Sequence, residues 1–289
     1  MFLRQGSSVV VAPDSYPGGR EFNPRPWYFT SMQNPIGIID SGVGGLSIAS
    51  FLIKSFPSQS FIYLADSKNC PYGDKTREEI YGLTKKMIDF FLGKEIKLLV
   101  IACNTITVTC IDQLRLDYPN LPIVGIVPVV KTAASVSKNK KIGIFSTQVT
   151  ANSRYQKELI DKFHNNCEVI NIGSSDLVGA IEDLNFEYVD KVLDEELTEF
   201  RSFNIDTLAL GCSHFPLIKD RIQKILPNVL ILDSGEAVSN QVNKILQHNN
   251  LISNSVNPSY NFYTTGDLKA LTYFVKKLTN KGELTRISL

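Results

Sequence analysis

From Ile36 onward, short runs of apolar and β-branched residues alternate with stretches whose apolar positions recur at helical spacing. The runs predict strands at Ile36–Ile39, Phe61–Leu64, Leu98–Ala102, Ile123–Val127, Ile142–Phe145, Glu168–Ile172, Thr207–Leu210, Val229–Leu232 and Phe262–Tyr263. Helical spacing fills most of the gaps, for example over Thr76–Leu92 and Asp176–Phe186. Sustained strand-helix alternation implies an α/β fold with mainly parallel sheets. Such sheets take ligands beyond the carboxyl ends of their strands.

The pattern also repeats. Ile36-Gly37-Ile38 opens one strand, and a later strand ends in Ile101-Ala102-Cys103-Asn104-Thr105. Ile142-Gly143-Ile144 opens another, and at a nearly equal interval a strand ends in Leu210-Gly211-Cys212-Ser213-His214. Both Ile-Gly-Ile runs lead through small polar residues toward a helix. We therefore expect two similar α/β lobes, related by a pseudo-twofold axis, each presenting one cysteine at a strand end. The chain is expected to cross between lobes near Val127-Pro128 and to return near Asp233-Ser234-Gly235. That gives a first lobe of residues 33–126 plus 236–289 and a second of 127–235. The active site is then expected in the cleft between them. Residues 1–32 hold four prolines and little periodicity, and read as an N-terminal extension or tail, with Met32 a natural start.

Composition narrows the classes of function. In 289 residues, 43% are hydrophobic and 20% charged, as in an ordinary globular protein, and the formal net charge is +1. That balance supplies no field favouring nucleic acid or an anionic membrane. No apolar run reaches the length of a membrane span, and no secretory apolar segment opens the chain, so a cytoplasmic protein is expected. The five cysteines, Cys70, Cys103, Cys110, Cys167 and Cys212, form neither a regular disulfide framework nor a Cys-x-x-Cys metal pair. They read as free thiols. Cys70, Cys110 and Cys167 are expected to serve as small hydrophobes.

Cys103 and Cys212 differ in their polar company. Two thiols facing one substrate from opposite sides suit a reaction that removes a proton from a carbon and returns one to its other face. Cysteine titrates at about 8.5 when unperturbed, so both protonation states are accessible near neutrality. Helix N-terminal amides following each strand would favour the thiolate. Asn104, Thr105 and Ser213 can hydrogen-bond a carboxylate or an ammonium group. His214, one of three histidines, stands two residues after Cys212 and can tune it. Asp40-Ser41-Gly42-Val43-Gly44-Gly45 is a glycine-rich turn between strand and helix, without the Gly-Lys-Ser/Thr of a nucleotide loop. It is expected to cradle a carboxylate on its amides, with Asp40 near the first cysteine.

Taken together, Ile38-Ile39-Asp40-Ser41-Gly42-Val43-Gly44-Gly45-Leu46, Cys70-Pro71-Tyr72-Gly73, Ala102-Cys103-Asn104-Thr105, Pro122-Ile123-Val124-Gly125-Ile126 and Leu210-Gly211-Cys212-Ser213-His214-Phe215-Pro216-Leu217 resemble the aspartate/glutamate racemase family, and within it the glutamate racemases. The resemblance runs from about Pro35 to at least Gly235. It implies a cofactor-independent racemisation of L-glutamate to D-glutamate for peptidoglycan synthesis, with no metal and glutamate as the small-molecule substrate, and it leaves a homodimer open. Cys103 and Cys212 match the two acid/base thiols, and Asp40 and His214 match groups that assist them. The substrate-binding pairs implied are Asp40 with Ser41, Tyr72 with Gly73, Asn104 with Thr105, and Ser213 with His214, with Thr147 and Thr150 lining the pocket. Glu182 matches an acidic residue beside the second thiol more loosely, the alternative being an exposed helix face. Ser213 and Phe215 depart from the family's usual Thr and Tyr. An aspartate racemase of the same fold and a non-catalytic amino-acid-binding protein are the competing readings.

Overall fold

The structure, a computed structural model, describes residues 31–164 and 166–289. The tail expected over residues 1–32 lies outside the described residues except for its last two. Ten strands form along the chain: β1 Ile36–Asp40, β2 Phe61–Ala65, β3 Leu98–Ile101, β4 Ile123–Gly125, β5 Lys141–Thr147, β6 Glu168–Ser174, β7 Thr207–Gly211, β8 Leu230–Leu232, β9 Tyr260–Thr264 and β10 Glu283–Arg286. They build two all-parallel sheets, ordered β10-β9-β2-β1-β3-β4 and β6-β5-β7-β8.

Strand order gives each sheet one switch point. In the first, the chain leaves β1 toward β2 and comes back to place β3 on the other side. In the second, it leaves β5 toward β6 and comes back to place β7 on the other side. The repeated Ile-Gly-Ile therefore opens the pivot strand of each sheet. Its glycine has a packing reason. A Cβ on Gly37 would lie 2.8 Å from Phe91, and one on Gly143 would lie 2.7 Å from Phe200. Each phenylalanine comes from the helix that leads into the next switch-point strand, Arg77–Leu92 before β3 and Phe186–Phe203 before β7. The sequence repeat is thus a repeat of strand-to-helix contact.

Side-chain alternation sorts the cores. Ile36, Ile38, Leu98 and Val100 of the first sheet share one apolar cluster with Phe145, Leu208 and Leu210 of the second. The opposite faces pack separately, Ile39, Leu99 and Ile101 in one cluster and Ile142, Ile144 and Ala209 in another. Helix Gly235–His248 lies against helix Leu46–Ser55, where the Phe51 ring covers Gly235. The two connections between sheets run side by side, Ser234 Oγ donating to the Val127 carbonyl at 2.8 Å. Among the described residues, no helix is long and apolar enough to cross a membrane.

Three elements differ from expectation. The helix expected over Asp176–Phe186 is two helices, Leu177–Glu182 and Phe186–Phe203. Leu184 takes φ +57°, and the Asn185 side chain accepts from the Tyr188 amide and so caps the second helix. β4 stops at Gly125 because the Ile126 amide turns to the Thr107 hydroxyl, 3.2 Å away. β10 is an added edge strand whose residues Glu-Leu-Thr-Arg carry no apolar run.

Candidate active site

Both switch points open on one cleft of about 430 Å³, lined by Cys103 and Ser41 from the first sheet and by Cys212, Ser213, His214 and Thr147 from the second. Cys103 follows β3 and stands at the N-cap position of helix Asn104–Asp117 without a side-chain capping bond, while Cys212 follows β7. Both are buried, at 3% and 5% exposure. The two cysteines occupy equivalent strand ends, as the repeat implies.

The first thiol sits among oxygen atoms. Ser41 Oγ lies 3.5 Å from Cys103 Sγ. Asp40 closes β1, fully buried, its Oδ1 accepting from the Gly42 amide at 2.8 Å, while its Oδ2 has no partner among the described residues. Burial lifts the Asp40 carboxyl from 3.8 to about 7, against the opposing pull of His214, the Gly42 amide and Ser213. Cys103 is pushed up to about 12, first by burial and then by the Asp40 charge, despite the Ser41 hydroxyl and the Ile106 amide. The helix amides therefore do not make Cys103 a thiolate on their own. Their pull is weaker than the cost of burying the charge.

The second thiol has an imidazole instead. Cys212 Sγ stands 4.0 Å from His214 Nδ1, and His214 Nε2 pairs with Glu182 Oε1 at 2.7 Å. Burial opposes charge on the His214 ring. Its contacts with Cys212, Cys70 and Glu182 outweigh that and hold it well above the ordinary histidine value. Glu182 closes helix Leu177–Glu182 and also accepts from the Val43 amide at 2.5 Å. It does not lie on an exposed helix face. The break after it turns its carboxylate inward.

The glycine-rich turn differs from expectation in a related way. Its Gly42 and Val43 amides are given to Asp40 and Glu182, the protein's own carboxylates, rather than held free for a ligand anion. Cys70 also differs. It packs against the apolar core, but its thiol lies within 4.8 Å of a His214 ring nitrogen, and burial pushes it up to about 12. Nothing in the Cys70 sequence context predicts that contact, because His214 arrives from the other sheet.

The remaining expected residues are also brought together. Thr105 Oγ1 lies 3.1 Å from Thr147 Oγ1 and 3.5 Å from Thr150 Oγ1, so three hydroxyls join the two sheets. Thr147 reaches the cleft, whereas Thr150 is fully buried behind it. Asn104 lines the cleft with its Nδ2 unpartnered among the described residues. Tyr72 and Gly73 form the wall opposite, yet the Tyr72 hydroxyl points away and donates to Asp66 at 2.6 Å. Asp66 also accepts from Asn69 and Thr265, and was not anticipated. Its signal is only an acidic residue just past a strand end.

Residues 47–242 match the family model described as Asp/Glu/Hydantoin racemase. The chain is 36% identical over 222 residues to the glutamate racemase of Clostridium botulinum, covering 76% of this chain and 86% of that one. The chain belongs to the Asp/Glu/hydantoin racemase family. Solved members superpose closely. The glutamate racemase isoform RacE1 of Bacillus anthracis gives a TM-score of 0.79 at 29% identity, covering 89% of this chain and 98% of that one. The glutamate racemase of Francisella tularensis, solved in complex with D-glutamate, gives 0.76 at 31% identity with the same coverage. The family match includes both thiols, Glu182 and His214, and begins after Asp40 and Ser41.

Asp40 gives this racemase a pH signature. Its folded value is raised above 3.8, so the native state holds a proton that the unfolded chain releases. Stability from this group is full below pH 3.8 and is lost as pH rises toward about 7. We expect Asp40→Asn to flatten that part of the stability curve relative to the wild type. Urea unfolding across the window checks it, and parallel curves would refute it.

Proposed function

We propose that the chain racemises glutamate by a two-base mechanism in which Cys103 and Cys212 exchange protons with Cα from opposite faces. The observation that carries this reading is the pair of buried thiols at equivalent strand ends lining one cleft. One thiolate removes the Cα proton, and the opposite thiol delivers its own to the other face of the planar intermediate. The two then exchange roles for the reverse direction. Each thiol has its own assistant. Asp40 takes or returns a proton beside Cys103, and His214, oriented by Glu182, does so beside Cys212.

Burial raises the cost of the Cys103 thiolate. A bound α-ammonium offsets this, because a nearby positive charge favours the ionised thiol. Deprotonation is thereby tied to substrate binding. Asn104, Thr105, Ser213, Ser41 and Thr147 offer the hydroxyl and amide groups to hold the substrate's carboxylates and ammonium, and Tyr72 and Gly73 form the wall against it. The chemistry is proton transfer alone and calls on no cofactor. Five cysteines that form no disulfide among the described residues fit a reducing, cytoplasmic setting. The product, D-glutamate, is assigned here to peptidoglycan synthesis, the role that the likeness to glutamate racemases suggests.

Glutamate is preferred over aspartate because the relatives at 36% and 38% identity are glutamate racemases. Chiral chromatography after incubation in deuterated water is the test. We expect either glutamate enantiomer to give the racemate, with deuterium at Cα of the product. Turnover of aspartate without glutamate would overturn the substrate, and no turnover of either would favour a binding protein.

A further inference from the structure

Cys70 takes no part in the proton transfers above, yet its thiol is delivered to the Glu182–His214 pair. We propose that Cys70, His214 and Glu182 form a site for a thiophilic divalent cation such as Zn²⁺, and that filling it shuts off racemisation. The inhibitory half rests on reading His214 as the assistant of Cys212.

Three separate segments bring the ligand atoms together: the loop after β2, the end of helix Leu177–Glu182, and the turn after β7. Cys Sγ, a histidine ring nitrogen and a carboxylate oxygen all lie within 4.8 Å of one another. That is a borderline-soft donor set of the kind zinc selects. With metal–sulfur and metal–nitrogen bonds of about 2.3 and 2.0 Å, tetrahedral ligand atoms stand roughly 3–4 Å apart. Small side-chain shifts reach that spacing, opening the 2.7 Å histidine–carboxylate pair and drawing in the thiol.

The surroundings are shaped to hold these atoms. The Val43 amide fixes the Glu182 carboxylate. Gly42 forms the floor, where a Cβ would stand 2.0 Å from Glu182 Oε1 and 3.1 Å from Cys70 Sγ. The other ring nitrogen of His214 faces Cys212 Sγ at 4.0 Å, which supplies the outer partner that metal-bound histidines usually have. Three protein ligands leave a fourth position open.

The exchange balances. The ion enters with two positive charges, and the Cys70 thiol proton and the His214 Nε2 proton leave to solvent. The buried site keeps its net charge, so no uncompensated charge is created. With Nε2 held by the ion, Nδ1 keeps the ring's one remaining proton, so His214 can no longer take up a proton from Cys212.

The test uses the full chain, with Co²⁺ as an optical probe and Zn²⁺ as inhibitor. We expect one tightly bound Co²⁺ per chain with thiolate-to-cobalt absorption, and loss of racemisation as Zn²⁺ is added. Cys70→Ser should lose the absorption, and inhibition relative to its own metal-free rate should need at least about 10-fold more Zn²⁺, the lower end of what even an outer-sphere change costs a metal site. Glu182→Gln should keep the absorption but weaken Co²⁺ binding, which gives a second reading if Cys70→Ser folds poorly. An unchanged Cys70→Ser titration would overturn the proposal and place the ion on Cys103 and Cys212. Absence of any thiolate absorption in the wild type would also overturn it. If the chain fails to racemise glutamate but the absorption vanishes in Cys70→Ser, the cation site stands and the functional reading falls.

Discussion

Replacing either Cys103 or Cys212 by serine is expected to slow racemisation of glutamate by about 10²–10⁴-fold or more, the range general acid–base catalysis contributes. Serine keeps the size and the hydrogen bond but is too weak an acid to serve as thiolate or proton donor near neutrality. The two variants should not be silent in the same way. Each retains one thiol, so each should still exchange the Cα proton of one enantiomer with solvent, and the two should prefer opposite enantiomers. Chiral assay together with proton wash-out monitored by NMR checks this. A single variant that racemises at the wild-type rate would remove the two-base reading. Exchange of the same enantiomer by both variants would show that the thiols do not face opposite sides of Cα.

Gly44→Ala should cost both stability and turnover. A Cβ there would stand 2.4 Å from His214 Nδ1, 2.6 Å from the His214 backbone nitrogen and 2.7 Å from its Cγ. A side-chain tip can swing aside, but a backbone atom cannot without moving the turn that also carries Cys212. Overpacking of this kind costs about 1–3 kcal/mol. Displacing the imidazole by about 1 Å can cost on the order of 10²-fold in rate. Gly179 supplies the control, because a Cβ there meets nothing within 4 Å. Gly179→Ala is expected to be neutral or stabilising by up to about 1 kcal/mol, since alanine is the better helix former. Urea unfolding and steady-state rates on both variants decide it. Equal behaviour would mean that the turn and the His214 backbone do not pack as described.

Much of this arrangement is legible along the chain. The two-fold pattern of Ile-Gly-Ile and strand-end cysteine is local, because a strand, its following turn and its helix lie close in sequence. Thr76 illustrates the same legibility, capping helix Arg77–Leu92 through a reciprocal box with Glu79. The expected strands appear with ends shifted by a few residues, and Ile126 shows why. A single side chain from another element, Thr107, takes the amide that would have continued the strand. β10 escapes notice because an exposed edge strand has no need of apolar alternation.

What resisted reading depends on contacts between distant segments. Glu182 reads from the sequence as a looser family match or as part of an exposed helix face, since the turn at Leu184 that redirects its carboxylate leaves only a weak local trace. Cys70 looked like a small hydrophobe, and in part it is one. The amides of the glycine-rich turn looked free for a ligand, but Asp40 and Glu182 had already claimed two of them.

Read along the chain, the residues specify two parallel α/β units, each ending a buried strand in a cysteine with polar neighbours. Backbone periodicity and strand-end chemistry are properties of consecutive residues. The folded molecule adds that Ser41 stands beside the Cys103 thiol and that Glu182 and Cys70 join His214 beside Cys212. Those pairings arise where two switch points close on each other, and burial there sets the proton affinities that no residue has alone.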